Sequence, residues 1–341
     1  MRLTDRKPDF TQLEKVLRHE VPDRPVLFEI SVAPALLEKY ADPAVSRDWI
    51  GFGLASNQLL IAGYYALGYD YVMGRGSDFK FIMPEKEHGK TIGQAEAGVI
   101  TDRESYEAYA WQNPEDFDYS HLDSIVLPEG MKAVVWGPGG VLENVISLVG
   151  FQDLCFMLID EPELVQELFD AVGSRLLKYY ELSLPYEKVG AALVNDDWGF
   201  KTQTMLSPEQ MRQYVVPWHK KIVAAIHAAG KPAIMHSCGN FEMMWEDVIE
   251  EIQFDGKHSY EDGIISIEES LDRWGDRIAM LGGIDMDYLC RKTPGEIADR
   301  ARALLEKTAE KGGYALGSGN SIPDYVPEEN YLAMVKVALE G

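Results

Sequence analysis

Short apolar runs recur along the chain with amphipathic stretches between them, and this alternation limits the fold more than any other feature. The runs cover residues 26–30, 69–73, 133–136, 191–195, 232–236, 254–258, 278–282 and 314–317. Runs this short and this apolar suit strands buried on both faces, and their alternation with helical patterns implies a parallel sheet covered by helices. From Pro185 onward the alternation is very regular.

Helix boundaries carry their own signals. Ser207-Pro208-Glu209-Gln210 and Thr293-Pro294-Gly295-Glu296 each place a hydroxyl at the N-cap, Pro at the first helical position and Gln or Glu at N3. Each is a capping box that satisfies two backbone donors. Gly230 and Gly312-Gly313 stand where helices should stop before the next strand. Gly137-Pro138-Gly139-Gly140 is a turn, but its Pro makes a poor dinucleotide cradle and no P-loop lysine follows. Eight strands without a phosphate fingerprint or a flexible linker favour one α/β domain over residues 1–341. The expected architecture is a single (β/α)8 TIM barrel with an N-terminal helical extension. The stretch 74–128 is expected to be a long insertion after the second strand, with small helices and a share in function.

Composition excludes some partners. The 341 residues are 46% hydrophobic and 26% charged, which is ordinary for a globular chain. Against 56 acidic residues stand 32 Lys and Arg, a net charge of -24. Nucleic-acid binding relies on a basic surface, so no nucleic acid is expected, and anionic membrane surfaces are disfavoured likewise. Cys155, Cys238 and Cys290 are too few for a disulfide framework. The start, MRLTDRKPDFTQLEKVL, lacks the apolar region of a secretory signal, and no run approaches the ~20 apolar residues of a membrane span. These features predict a cytoplasmic, reduced protein. The oligomeric state stays open, a homodimer included.

In a barrel the chemistry sits at the C-terminal ends of the strands. Five neighbouring ends are polar: Asn195-Asp196-Asp197-Trp198, His236-Ser237-Cys238-Gly239-Asn240, Lys257-His258-Ser259-Tyr260-Glu261-Asp262, Gly282-Gly283-Ile284-Asp285 and Gly317-Ser318-Gly319-Asn320-Ser321. His236 and Cys238 are two apart, so in an extended segment they point the same way and can share one metal ion. A thiolate with an imidazole favours zinc over magnesium or calcium. The plainer reading is a core histidine beside a small buried cysteine. Asp196, Asp197 and Glu261 are candidates for general acid–base work or for completing a metal shell. The same aspartates could cap a turn, and Lys257 with Glu261 could be a structural ion pair. Trp198, His258, Asp285, Ser318 and Asn320 are candidate substrate-binding residues by position, although Asp285 could equally cap the next helix and the Gly-rich turn at Ser318 and Asn320 could serve packing alone. Cys155, between apolar neighbours on a helix, is expected in the core.

The run from His236 to Asn240, with Gly282-Gly283-Ile284-Asp285, Gly312-Gly313-Tyr314 and Pro327-Glu328-Glu329-Asn330-Tyr331, resembles the uroporphyrinogen decarboxylase superfamily. The likeness is best over 185–341. It implies a (β/α)8 barrel, and either porphyrinogen decarboxylation or cobamide-dependent methyl transfer. Decarboxylases of this superfamily carry an Arg-rich segment after the first strand, which grips substrate carboxylates. Here that segment is Phe28-Glu29-Ile30-Ser31-Val32-Ala33-Pro34, with no arginine before Arg47. The methyltransferase branch uses a zinc motif, His-x-Cys with a distant second Cys. His236 and Cys238 match its first part, while Gly317-Ser318-Gly319-Asn320 stands where the last Cys belongs. The chain is most similar to the methyltransferase I components of O-demethylase systems, which lack a cobalamin domain. That resemblance implies methyl transfer from a small donor, an aryl methyl ether, to Co(I) of a separate corrinoid protein, with zinc as Lewis acid. Two alternatives remain: a metal-free decarboxylase of a smaller acid, and a non-catalytic binding protein of the same fold.

Overall fold

The computed structural model describes residues 3–41, 57–83 and 98–340. Seven strands form one sheet, β1 (Tyr71–Arg75), β2 (Lys132–Trp136), β3 (Val189–Asn195), β4 (Ala233–His236), β5 (Gly256–His258), β6 (Ala279–Leu281) and β7 (Tyr314–Ala315). All neighbouring pairs are parallel and follow sequence order. Seven of the eight apolar runs are therefore strands, and they are buried as a helix-covered parallel sheet requires.

The first run differs from expectation. Residues 26–30 form no strand of the ladder; Leu27 makes a single parallel bridge to Leu316, and Val32 another to Ile322. On the opposite flank, the Tyr71 hydroxyl donates to the Glu29 carbonyl and contacts the Glu29 amide, each at 2.7 Å. A tyrosine side chain thus satisfies the backbone groups that a neighbouring strand would otherwise bond. Among the described residues the sheet has seven strands where eight were expected.

Among the helices, α1 (Thr11–Leu17) is the expected N-terminal helix. Its Leu13, Val16 and Leu17 are buried at the starts of the strands, where the Leu17 side chain lies over Gly256 of β5. On the β2–β3 side lie α2 (Val141–Val149), α3 (Phe151–Asp160) and α4 (Pro162–Ser183). The longest, α4, buries Leu164, Leu168, Val172, Leu176 and Tyr179, a three-to-four-residue stripe that faces the sheet. Tyr179 and Tyr180 end that stripe by donating to the carbonyls of Trp136 and Leu193, each at 2.8 Å. Next come α5 (Val216–Ala228), α6 (Ile267–Trp274), α7 (Met286–Arg291), α8 (Pro294–Thr308) and α9 (Glu328–Glu340).

Both expected capping boxes form, at Ser207 and at Thr293. The insertion after β1 contains short helices at Arg103–Ala108 and His121–Ser124, and its segment 84–97 lies outside the described residues. Cys155, expected in the core, is only half-buried on α3, and Cys290 is half-buried as well. No single helix among the described residues is long and apolar enough to cross a membrane.

Candidate metal centre

Sheet register builds the centre. Asn195 of β3 pairs with His236 of β4, and His236 with His258 of β5. Residues at one level of a parallel sheet point to one side, so the two imidazoles meet edge to edge, Nδ1 to Nδ1 at 2.8 Å with 5.1 Å between centroids. Two residues beyond His236, Cys238 returns to the same side, as the i, i+2 spacing predicts, and its Sγ lies 3.7 Å from His236 Nε2.

The β3 and β4 ends are tied together above this level. The Trp198 amide donates to the Ser237 hydroxyl at 3.1 Å, and the Cys238 amide donates to Asp197 Oδ1 at 2.7 Å. Asp197 Oδ1 consequently stands 4.0 Å from His236 Nε2. One ligand atom each from Asp197, His236 and Cys238 lies within 4.8 Å of the others. Ligand atoms about 2.0–2.3 Å from a tetrahedral zinc ion are roughly 3.3–3.8 Å apart, so this nitrogen, oxygen and sulfur set fits zinc with small adjustments. Three protein ligands leave a fourth position for substrate, the pattern of a catalytic rather than a structural site. Ser259 and Asn320 border the sulfur, the serine hydroxyl at 3.3 Å and the Asn320 amide donating to Sγ at 3.3 Å.

The other expected residues are placed differently. Asp196 is fully buried and turned away, accepting from the amides of Leu142 and Glu143, from Trp198 Nε1 and from His219 Nε2. It caps α2 from another strand. Only glycine at 140 permits this, since a Cβ there would lie 2.1 Å from the carboxyl. Trp198 is fully buried against His219 and Phe241. Asp285 caps α7 through the Tyr288 amide. Ser318 is buried and donates from its amide and hydroxyl to Glu29, each at 2.6 Å. His258 lies behind His236 with no exposed surface. Glu261 is exposed at the rim of a cavity of about 30 Å³ that Trp245, Lys257 and Tyr260 also line. Beside it opens a cleft of about 780 Å³ between Thr202–Pro208 and Asn240–Met243.

Burial sets the electrostatics. It pushes the Cys238 thiol up to about 12, with the Asp197 charge adding to the effect. Desolvation pulls His236 down to about 4 against the attraction of Asp197, so its imidazole is neutral at pH 7 and available as a ligand. His258 is held well below its usual range by burial, with His236 and Lys257 adding to it.

Sequence patterns missed three groups here. Glu143, in the first turn of α2 just past the Gly137–Gly140 turn, is raised to about 8 by burial and then by Asp196 and Asp197. Glu29 is raised to about 8 by complete burial. The Lys257 ammonium, lowered to about 7 by burial, makes no bridge to Glu261 among the described residues. It donates instead to the Ser259 carbonyl and sits over the rings of Tyr260 and Phe241, 4.1 and 5.0 Å from their centroids. Ser259 is itself in the left-handed region, φ 91°, a strained setting for a serine beside the Cys238 sulfur. A lone Glu or Lys in an apolar run was the only available hint of these burials.

The uroporphyrinogen decarboxylase family model matches residues 132–340. A uroporphyrinogen decarboxylase from Citrifermentans bemidjiense is 26% identical over 188 residues, 54% of this chain and 51% of that protein. One from Geobacter sulfurreducens is 25% identical over 184 residues, 53% of this chain and 50% of that protein. The chain thus spans about half the length of the curated relatives it matches. The solved structure of a methyltransferase from Methanosarcina mazei superposes with a TM-score of 0.67, covering 97% of this chain and 98% of that one at 16% identity, a likeness of fold. The family model matches the chain from β2 to α9, well over half of its length: this chain belongs to the uroporphyrinogen decarboxylase family.

Proposed function

We propose that this protein is a methyltransferase of its family, taking a methyl group from a small donor, an aryl methyl ether, and delivering it to Co(I) of a separate corrinoid protein. The observation that carries this reading is the Asp197–His236–Cys238 cluster at the strand ends, with a cleft lined from Asn240, two residues past Cys238. A zinc ion held by these three residues would supply Lewis acidity at the donor oxygen. His236 contributes a neutral nitrogen and Cys238 a sulfur that gives up its proton on binding. Asp197, fixed by the Cys238 amide, contributes charge without needing to reorganise. Glu143, raised to about 8 by burial and then by Asp196 and Asp197, joins Asp196, Asp197 and Glu261 as a candidate donor of the proton that the departing oxygen needs. Glu261 at the rim meets the donor as it enters.

The whole chain, 1–341, is read as one (β/α)8 domain. The bridges at Leu27 and Val32 support residues 26–30 as the eighth member of the barrel, next to β7. The metal-free decarboxylase reading is less favoured, because a buried Glu29 occupies the segment where those enzymes carry arginines. Carboxylate-rich substrates need cations there.

Two measurements test the reading. Protein purified without chelator is expected to carry about one zinc per chain. The His236→Ala, Cys238→Ala double variant should carry none, and a metal-free wild type prepared with zinc present would sink the metal reading. Mixing the enzyme with ether, amine and thiol donors and an active reduced corrinoid protein should consume the Co(I) absorbance with at least one donor. No consumption with any of them would refute methyl transfer.

A further inference from the structure

Two further residues share the face of the sheet that carries the metal cluster, and register places both. Trp136 ends β2 beside Leu193 of β3, and Asn195, two residues beyond Leu193, pairs with His236 of β4. Side chains repeat every second residue along a strand, so Trp136, Asn195 and His236 stand on one side. That side is turned from the covering helices, because Lys257, the residue before His258, points the other way towards Phe241 and Trp245.

Neither side chain is satisfied there. Among the described residues Trp136 is the one exposed member of the seven strands, at 41%. Strands of a helix-covered parallel sheet are buried on both faces, so this exposure means that the inner face is open beside the indole. Asn195 is the reverse case. Its Oδ1 is buried without a hydrogen-bond partner, while its Nδ2 donates to Glu143 Oε2 at a long 3.4 Å. A buried acceptor left empty is costly, and a ligand hydroxyl can fill it. Neighbouring strands lie about 4.8 Å apart. An open indole on β2, an empty acceptor on β3 and the first metal ligand on β4 therefore follow one another on the scale of a single six-membered ring with its substituents.

We propose that Trp136 and Asn195 determine donor specificity: the indole stacks on a planar ring, and Asn195 Oδ1 accepts the hydrogen of a hydroxyl carried on that ring next to the methyl-bearing oxygen. The substrate class is then an ortho-methoxylated phenol rather than methyl ethers in general. This rests on the methyl-transfer reading above, but ring binding itself needs neither zinc nor a corrinoid.

The test uses the full chain, stripped of metal by chelator and nitrogen-labelled at its tryptophans. Trp136→Phe identifies the Trp136 indole resonance by its absence. Titration with ortho-methoxyphenol should shift that resonance. Its affinity should be about tenfold above that of methoxybenzene, which lacks the hydroxyl, and about tenfold above that of ortho-methoxycyclohexanol, which lacks the planar ring. Trp136→Ala should weaken both aromatic probes about tenfold, whereas Trp136→Phe should stay within about threefold of wild type. Asn195→Ala should bring the two aromatic probes within about twofold of each other. If that variant does not fold, the wild-type preference and the Trp136 variants still decide. The proposal is overturned by an indole resonance that no probe moves, or by equal wild-type affinity for the phenol and methoxybenzene, which would mean that water fills the Asn195 acceptor. Ring binding as expected without consumption of Co(I) would remove methyl transfer alone.

Discussion

Replacing Asp196 with alanine is expected to destabilise the fold by about 3–5 kcal/mol, because several buried donors lose the one acceptor they share. His219 and Asp196 are both inaccessible, 2.8 Å apart, and the same carboxylate holds two helix amides and an indole. Alanine leaves all four donors buried and unpaired. The neighbouring substitution, Asp197→Ala, should behave in the opposite way. Asp197 is about a third exposed and accepts the Cys238 amide, so its loss should cost about 1 kcal/mol or less. Zinc affinity should nevertheless fall by about 100-fold or more, since a direct ligand matters at least as much as its supports. Chemical denaturation and zinc competition on the two variants separate these roles. Equal loss of stability in both would mean that Asp197 is a structural residue as well.

The second large effect is a dependence of stability on pH. Burial raises Glu29 to about 8 in the folded protein, against 4.5 for an ordinary glutamate. Between those values the folded state keeps a proton that the unfolded chain releases. The contribution of Glu29 is therefore complete below about pH 4.5 and is lost as pH rises towards 8, after which it levels off. The span corresponds to a contribution on the order of 5 kcal/mol. Glu29→Gln keeps the contacts to Ser318 and cannot ionise. It should match wild type within about 1 kcal/mol near pH 5 and exceed it by several kcal/mol above pH 8. Lys257, lowered by burial, contributes with the opposite sign, but it is common to both proteins and cancels in the difference. Parallel stability profiles for the two proteins would show that Glu29 does not titrate in this window.

The strands from β1 to β7 and the caps at Ser207 and Thr293 were legible in the chain because they depend on local pattern. Apolar runs need burial on both sides, and capping boxes close over four residues. The pairing of His236 with Cys238 was legible for the same reason, since it follows from the alternation of side chains along one strand. The division of labour between Asp196 and Asp197 was not. Consecutive residues at a strand end point to opposite sides, and which side holds the cavity depends on α2, brought in from over 50 residues away in the chain. His258 was read as facing a substrate because it ends an apolar run, yet the register between β4 and β5 turns it onto His236. Residues 26–30 have the composition of a strand and bond Leu316 on one flank, but on the other the Tyr71 hydroxyl takes the amide and carbonyl of Glu29. The amino-acid order by itself determined the seven strands from β1 to β7, the capped helix starts, and which polar residues end the strands. Only the tertiary structure decided which of those residues face one another, because register, burial and the proton sharing they impose are properties of neighbours distant in sequence.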